Sequence, residues 1–233
     1  MKNLTRQNPR QLFVAQELIN KVKSKCCGIK DKEKIFSQTA VTFLLKKRLK
    51  EQMEKDESYI ITRILAGKTE EYAYFLDTYG QPVFSLIVRM VNSEEDAEEL
   101  TQDTFMKAFE HLSSFNGKSS FSTWIYRIAY NTALSFLRKK NVEQTVIDDN
   151  QWNRISDTQI DDALNNESEE QIEKLQQALT KLTAEERALV TLFYEEEHSI
   201  QELAQILNLN EGNIKVKLHR LRKKLYVLMQ KED

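Results

Sequence analysis

Glycine and proline are scarce, at 5 and 2 of 233 residues. Tight turns between antiparallel strands need them, because those turns require positive or preset φ angles. A chain this poor in both is expected to be all-α. Local signals agree. "TAEE" (Thr183 to Glu186) and "SIQE" (Ser199 to Glu202) are capping boxes, in which a hydroxyl and a carboxylate satisfy the first amides of a helix reciprocally.

With 40% hydrophobic and 30% charged residues, the composition is that of a soluble, folded protein long enough for one large or two small domains. The formal net charge of −2 argues against a nucleic-acid partner, but its distribution reverses that argument. Residues 1–57 carry 14 basic and 7 acidic residues, residues 141–170 carry 9 acidic residues and one basic, and residues 213–224 carry 6 basic and no acidic residues. Cys26 and Cys27 are adjacent, and no CxxC or Cys/His cluster exists, so no metal site, cofactor or disulfide framework is expected. The start "MKNLTRQNPRQLF" lacks a signal-peptide core, and no apolar run nears the roughly 20 residues that cross a bilayer. A cytoplasmic protein without direct membrane insertion is expected.

Four segments follow. Residues 1–57 form a basic, helix-prone extension, with apolar residues at 12, 15, 18, 19 and 22 and again at 36, 40, 43 and 44. Translation from Met53 is an alternative reading, which would leave residues 1–52 outside the native protein. Residues 58–140 read as a helical domain. In it, Gly80 and Pro82 are expected to kink a first helix. Asn92-Ser93 caps a second, whose buried stripe is approximated by Leu100, Thr104, Met106, Phe109 and Leu112. Ser122 caps a third running from Thr123 to about Lys140, with Ile125, Ile128, Ala129, Thr132 and Phe136 on one face. Residues 141–168 are polar and acidic and read as a flexible linker, in which Trp152 and Ile155 can dock transiently. Residues 169–233 read as a second helical domain, with Leu189, Val190, Leu192 and Phe193, then Ile200, Leu203, Ala204 and Leu207, then Ile214, Leu218, Leu221, Leu225 and Leu228 as helical faces.

The last two helices are about three residues apart, the spacing of a helix-turn-helix. Asn208 is expected in a left-handed cap and Asn210 at the next N-cap. On the second helix Lys215, Lys217, His219, Arg220, Arg222, Lys223 and Lys224 lie off the apolar stripe, where they can reach phosphates, and Asn213 can read a base edge. A solvated face on a core helix is the bland reading of the same charges.

"FNGKSSFSTWIYRIAYN" (Phe115 to Asn131) mixes five aromatic rings with cations and hydroxyls. Rings offer stacking platforms to unpaired bases, and cations follow their phosphates. Any one ring can equally be core. Trp124, Arg127, Asn131, Leu134 and Arg138 share a helical face, an odd composition for a core. The acids at 94, 95, 96, 98, 99 and 103 lack a calcium-loop pattern, and His111, His198 and His219 are scattered, so enzyme chemistry has little support. An acidic helix face serves either as a protein contact or simply as a solvated surface.

"EEDAEELTQDTFMKAFEHLSSFNGKSSFSTWIYRIAYNTALSFLRKK" and, after the linker, "LTAEERALVTLFYEEEHSIQELAQILNLNEGNIKVKLHRLRKKL" closely resemble bacterial RNA polymerase sigma factors of the extracytoplasmic-function (ECF) subfamily. The resemblance covers about residues 58–140 (region 2-like) and 170–228 (region 4-like). It implies that Asp96, Glu99, Gln102 and Asp103 contact core RNA polymerase. It implies that Asn116, Lys118, Ser119, Ser120, Trp124, Arg127, Asn131 and Arg138 lie at the opened minus-ten strand of promoter DNA. It places Asn210, Asn213, Lys215, Lys217, His219, Arg220 and Lys224 at the minus-thirty-five element. It also implies an acidic linker that threads the RNA-exit path and sequestration by an anti-sigma factor, possibly membrane-bound. The chain departs from the family pattern at Ser135, where Asp is frequent, at Asn208, where Gly is usual, and at Gly80-Gln-Pro82. A transcription initiation factor is the expectation. A polymerase-independent helix-turn-helix regulator and an adaptor that binds protein without promoter DNA are the rivals.

Overall fold

The computed structural model describes residues 57–140 and 169–230. The expectations for residues 1–56, the Met53 start, the two cysteines and the linker lie outside the described residues. Among the described residues every regular element is helical, as expected for an all-α chain. They fall into two compact units, one containing 57–140 and the other most of 169–230.

In the first unit, α1 (57–65) stops at Gly67, whose φ of +101° suits only glycine. The Lys68 amide bonds back to the Arg63 carbonyl at 3.0 Å, satisfying an acceptor at the helix end. A 3₁₀ turn, Thr69–Tyr72, leads into α2 (Ala73–Val91). α2 runs through Gly80 and Pro82 as one helix, with Pro82 inside it. Proline removes one backbone bond there, but buried Phe75 before it and buried Val83, Leu86, Ile87 and Met90 after it hold both halves against one core. Asn92 takes a left-handed conformation (φ 59°) and ends α2, and Ser93 caps α3 (Glu94–Glu110) by accepting from the Asp96 amide. Lys107, in the last turn of α3, lies 3.3 Å from the Thr132 hydroxyl of α4 (Phe121–Lys139).

Two sequence expectations fail here. Met106 and Phe109 are 61% and 41% exposed, whereas Ala97, Phe105 and Ala108 are buried. The face that α3 packs on α2 and α4 carries Ala97, Leu100, Thr104, Phe105 and Ala108, so it passes beside Met106 and Phe109 rather than through them. The cap of α4 is Ser120, whose hydroxyl accepts from the Thr123 amide, so the helix starts at Phe121 and Ser122 lies within it.

In the second unit, α5 (Glu169–Thr180) packs against α8 (Glu211–Gln230). Both capping boxes form as expected, at the starts of α6 (Ala184–Val190) and α7 (Ile200–Leu207). A π turn, Thr191–Glu195, continues α6, with the Glu196 amide bonded to the Thr191 carbonyl. Ile214, Leu218, Leu221, Leu225 and Leu228 are all buried, as their spacing requires. On α7 the buried pair is Leu203 and Ile206, and Ile200, Ala204 and Leu207 are half-buried.

Candidate nucleic-acid interface

Helix α7 ends at Asn208, left-handed at φ 54°, and its successor α8 begins at Glu211. The Leu209 amide bonds to the Ala204 carbonyl, and Asn210 Oδ1 accepts from the Asn213 amide at 2.7 Å. Asn210 is thus a helix cap, with its amide oxygen committed to the turn. Asn213, Lys215, Lys217, His219 and Arg220 are exposed. Lys217 Nζ lies 3.9 Å from Glu185, which offsets part of its charge. Exposed Val216 (49%) stands among these cations. Its position between two lysines was legible, but its exposure was not.

Lys224 departs from the expected set. It is 5% exposed and donates to both oxygens of Glu186 on α6, at 2.6 and 2.8 Å. A side chain enclosed and paired in this way cannot reach a phosphate. Arg222 and Lys223 are half-buried.

In the first unit the ring-rich segment divides. Phe121, Tyr126 and Tyr130 are core, at 1%, 1% and 7% exposure, while Phe115 and Trp124 are half-buried. Phe121 stacks on Phe75 with centroids 4.0 Å apart, and Trp124 lies 5.5 Å from Phe121 and 5.3 Å from Phe115. The half-buried indole therefore packs on the core, and Asn116, Lys118 and Arg127 are exposed around it. Asn116 Oδ1 accepts from the Lys118 amide at 3.1 Å, and Gly117 takes φ +67°. Both features fold the loop back on itself and leave Lys118 exposed. Ser120 spends its hydroxyl on the cap of α4 and on a 2.9 Å bond with the Thr123 hydroxyl. Arg127, Asn131 and Arg138 are exposed on α4, but Leu134, which was placed with them, is buried.

On α3, Glu99, Gln102 and Asp103 are exposed along one face, which continues into Met106. Asp103 stands 4.0 Å from Lys107. Asp96 is instead paired with Lys140 Nζ at 2.8 Å, a hydrogen bond that lowers its carboxyl pKa, with a smaller contribution from Ser93. Burial pushes the Tyr72 hydroxyl well above its usual pKa while it donates to the Phe105 carbonyl of α3. No cluster of metal-ligating side chains occurs among the described residues. None of their helices is long and apolar enough to cross a membrane.

Comparison with known proteins agrees with this arrangement. The sigma-70 region 2 model matches residues 75–142, and a sigma-70 region 4 model matches residues 172–225. The chain is 30% identical over 172 residues to the ECF RNA polymerase sigma factor SigW of Bacillus subtilis (strain 168), covering 71% of this chain and 92% of SigW. It is 34% identical over 155 residues to the RNA polymerase sigma factor YlaC of the same strain, covering 66% and 88% of the two chains. The solved structure of the sigma factor RpoE in complex with the anti-sigma factor NepR, from Bartonella quintana, shares the fold, with a TM-score of 0.51 and 22% identity over 69% of this chain and 98% of that one. With both sigma domains in order and relatives matched over nearly their whole length, the chain belongs to the ECF RNA polymerase sigma factors and is a transcription initiation factor.

Proposed function

We propose that the chain works by binding alone, in the cytoplasm, and divides the work between its two units. Glu99, Gln102 and Asp103 on α3 meet core RNA polymerase, and Asp96 orients that face through Lys140. Asn213, Lys215, Lys217, His219 and Arg220 on α8 meet the minus-thirty-five duplex, with Asn210 shaping the turn. The loop from Asn116 to Ser120, with Trp124, Arg127, Asn131 and Arg138, holds the opened minus-ten strand. The region 2-like unit corresponds to 58–140 and the region 4-like unit to 169–233.

The observation that carries this reading is the half-buried Trp124 ring, with the exposed Asn116 amide and the Lys118 and Arg127 cations grouped around it. Stacking on such a ring returns about 1–3 kcal/mol per base, comparable to the few kcal/mol that unstacking costs. Sequestration by an anti-sigma partner, the state in which RpoE was solved with NepR, is part of the same proposal.

The test is run-off transcription with sigma-free core polymerase on fragmented genomic DNA, with transcript starts mapped. Discrete new starts that share two upstream boxes are expected. Tight operator binding without polymerase and without new starts would instead indicate a conventional helix-turn-helix regulator.

A further inference from the structure

Val216 lies on the face of α8 directly away from the core. Buried Ile214 and Leu218 flank it two positions to either side, and on a helix that turns by about 100° per residue each of them points roughly 160° away from it. Its neighbours on the helix surface are the residues three and four positions away. These are Gly212 and Asn213 in the turn before and His219 and Arg220 in the turn after, all exposed. Gly212 has no side chain to cover the valine. Val216 therefore sits 49% exposed at the centre of a face whose other side chains are polar or cationic.

Neither packing nor propensity calls for valine at such a place. A β-branched side chain loses rotamer freedom in a helix, and here it gains no burial in return. A single exposed apolar residue is unremarkable on an ordinary surface. This one is the sixth residue of α8, within the first two turns, the part of a recognition helix that reaches base edges. The major groove offers donors, acceptors and one apolar group, the C5 methyl of thymine. Valine has no donor or acceptor of its own. Pressed against a polar base edge it would strip water without replacing a hydrogen bond, which is costly. Pressed against the methyl it removes apolar surface from water on both sides, which is favourable.

We propose that Val216 is a specificity-determining residue, which packs on the C5 methyl of one thymine in the minus-thirty-five duplex while Asn213, His219 and Arg220 around it supply polar contacts. The proposal rests on the reading of α8 as the helix that meets that duplex.

The test uses the full chain assembled with core polymerase and a promoter duplex taken from the mapped starts. Each thymine of the upstream box, on either strand, is replaced singly by deoxyuridine, which lacks only the methyl. One replacement should weaken binding about fourfold, the worth of one buried methyl group. Val216→Ala should bind the natural duplex more weakly by a similar factor and lose its sensitivity to that replacement alone. Its salt dependence should be unchanged, because no charge is altered, and its thermal midpoint should hold, because alanine is the better helix former. An upstream box with no position sensitive to deoxyuridine would overturn the proposal and leave α8 on the duplex. So would a sensitive position that stays equally sensitive in Val216→Ala. If scrambling the whole upstream box leaves binding unchanged, α8 does not read that duplex, and the proposal falls with that reading.

Discussion

Lys224 Nζ donates to both carboxylate oxygens of Glu186, 38 residues earlier in the chain. Glu186 is also the third helical residue of α6, where it accepts from the Thr183 amide at 2.8 Å to complete the capping box. One carboxylate therefore fixes the start of α6 and anchors α8, the helix proposed to meet duplex DNA. Breaking a buried pair from one side costs about 3–5 kcal/mol. Glu186 keeps 29% of its side chain exposed, so screening lowers the expected cost of Glu186→Ala to about 1–3 kcal/mol. Lys224→Met retains the buried stem and removes the charge, and should cost less. Urea denaturation of both variants decides the matter, and a greater loss for Lys224→Met would contradict the desolvation argument.

The same pair predicts which cations matter to DNA. Each phosphate contact contributes about one unit to the slope of log affinity against log salt concentration. Lys215→Ala should lower the slope for promoter duplex bound by the polymerase complex by about one. Lys217→Ala should lower it by less, because Glu185 stands 3.9 Å from its ammonium. Lys224→Met should leave it unchanged. Equal slopes for Lys215→Ala and the unaltered chain would remove Lys215 from the interface.

Trp124 has two duties, and a variant should reveal both. Trp124→Ala removes ring contacts with Phe115 and Phe121, each worth about 0.5–1.5 kcal/mol beyond buried area. It also removes a stacking platform worth about 1–3 kcal/mol per base. The variant should have a lower thermal midpoint, bind core polymerase nearly normally, and lose most of its affinity for forked promoter DNA. Core and fork binding that fall together would show a packing defect alone.

Much of this was legible in the sequence where a local rule determines the geometry. Capping boxes need only four consecutive residues, and both form. Asn208 takes the left-handed cap because Asn tolerates positive φ, and the leucine stripe of α8 is buried at every expected position. Failures cluster where the answer depends on distant residues. Nothing near Lys224 distinguishes it from Lys215, because the acid that captures it lies on another helix. Met106 and Phe109 read as core by hydrophobicity, yet the buried face of α3 runs through Phe105 and Ala108 beside them. Of the candidate site residues, Asn210 caps α8 as its position predicts, and Ser120 caps α4 in place of Ser122.

The Asp96–Lys140 pair makes a prediction about pH. The Lys140 hydrogen bond, with help from Ser93, holds the Asp96 carboxyl below its ordinary range. A lowered folded-state pKa means that the pair stabilises the fold above the unfolded-state value, and that this contribution fades as pH falls through the folded value. Asp96 should therefore remain ionised below the ordinary aspartate range, and Lys140 should stay docked beside Phe136, over whose ring its ammonium lies at 4.9 Å. Carbon-detected NMR titration of the Asp96 carboxyl tests this directly. Lys140→Met should raise the Asp96 midpoint toward the usual aspartate range, whereas Ser93→Ala should raise it less and weaken the α3 cap as well. An Asp96 midpoint indifferent to Lys140→Met would mean that the ammonium does not hold the carboxylate, and would remove Asp96 as the residue that orients the acidic face of α3.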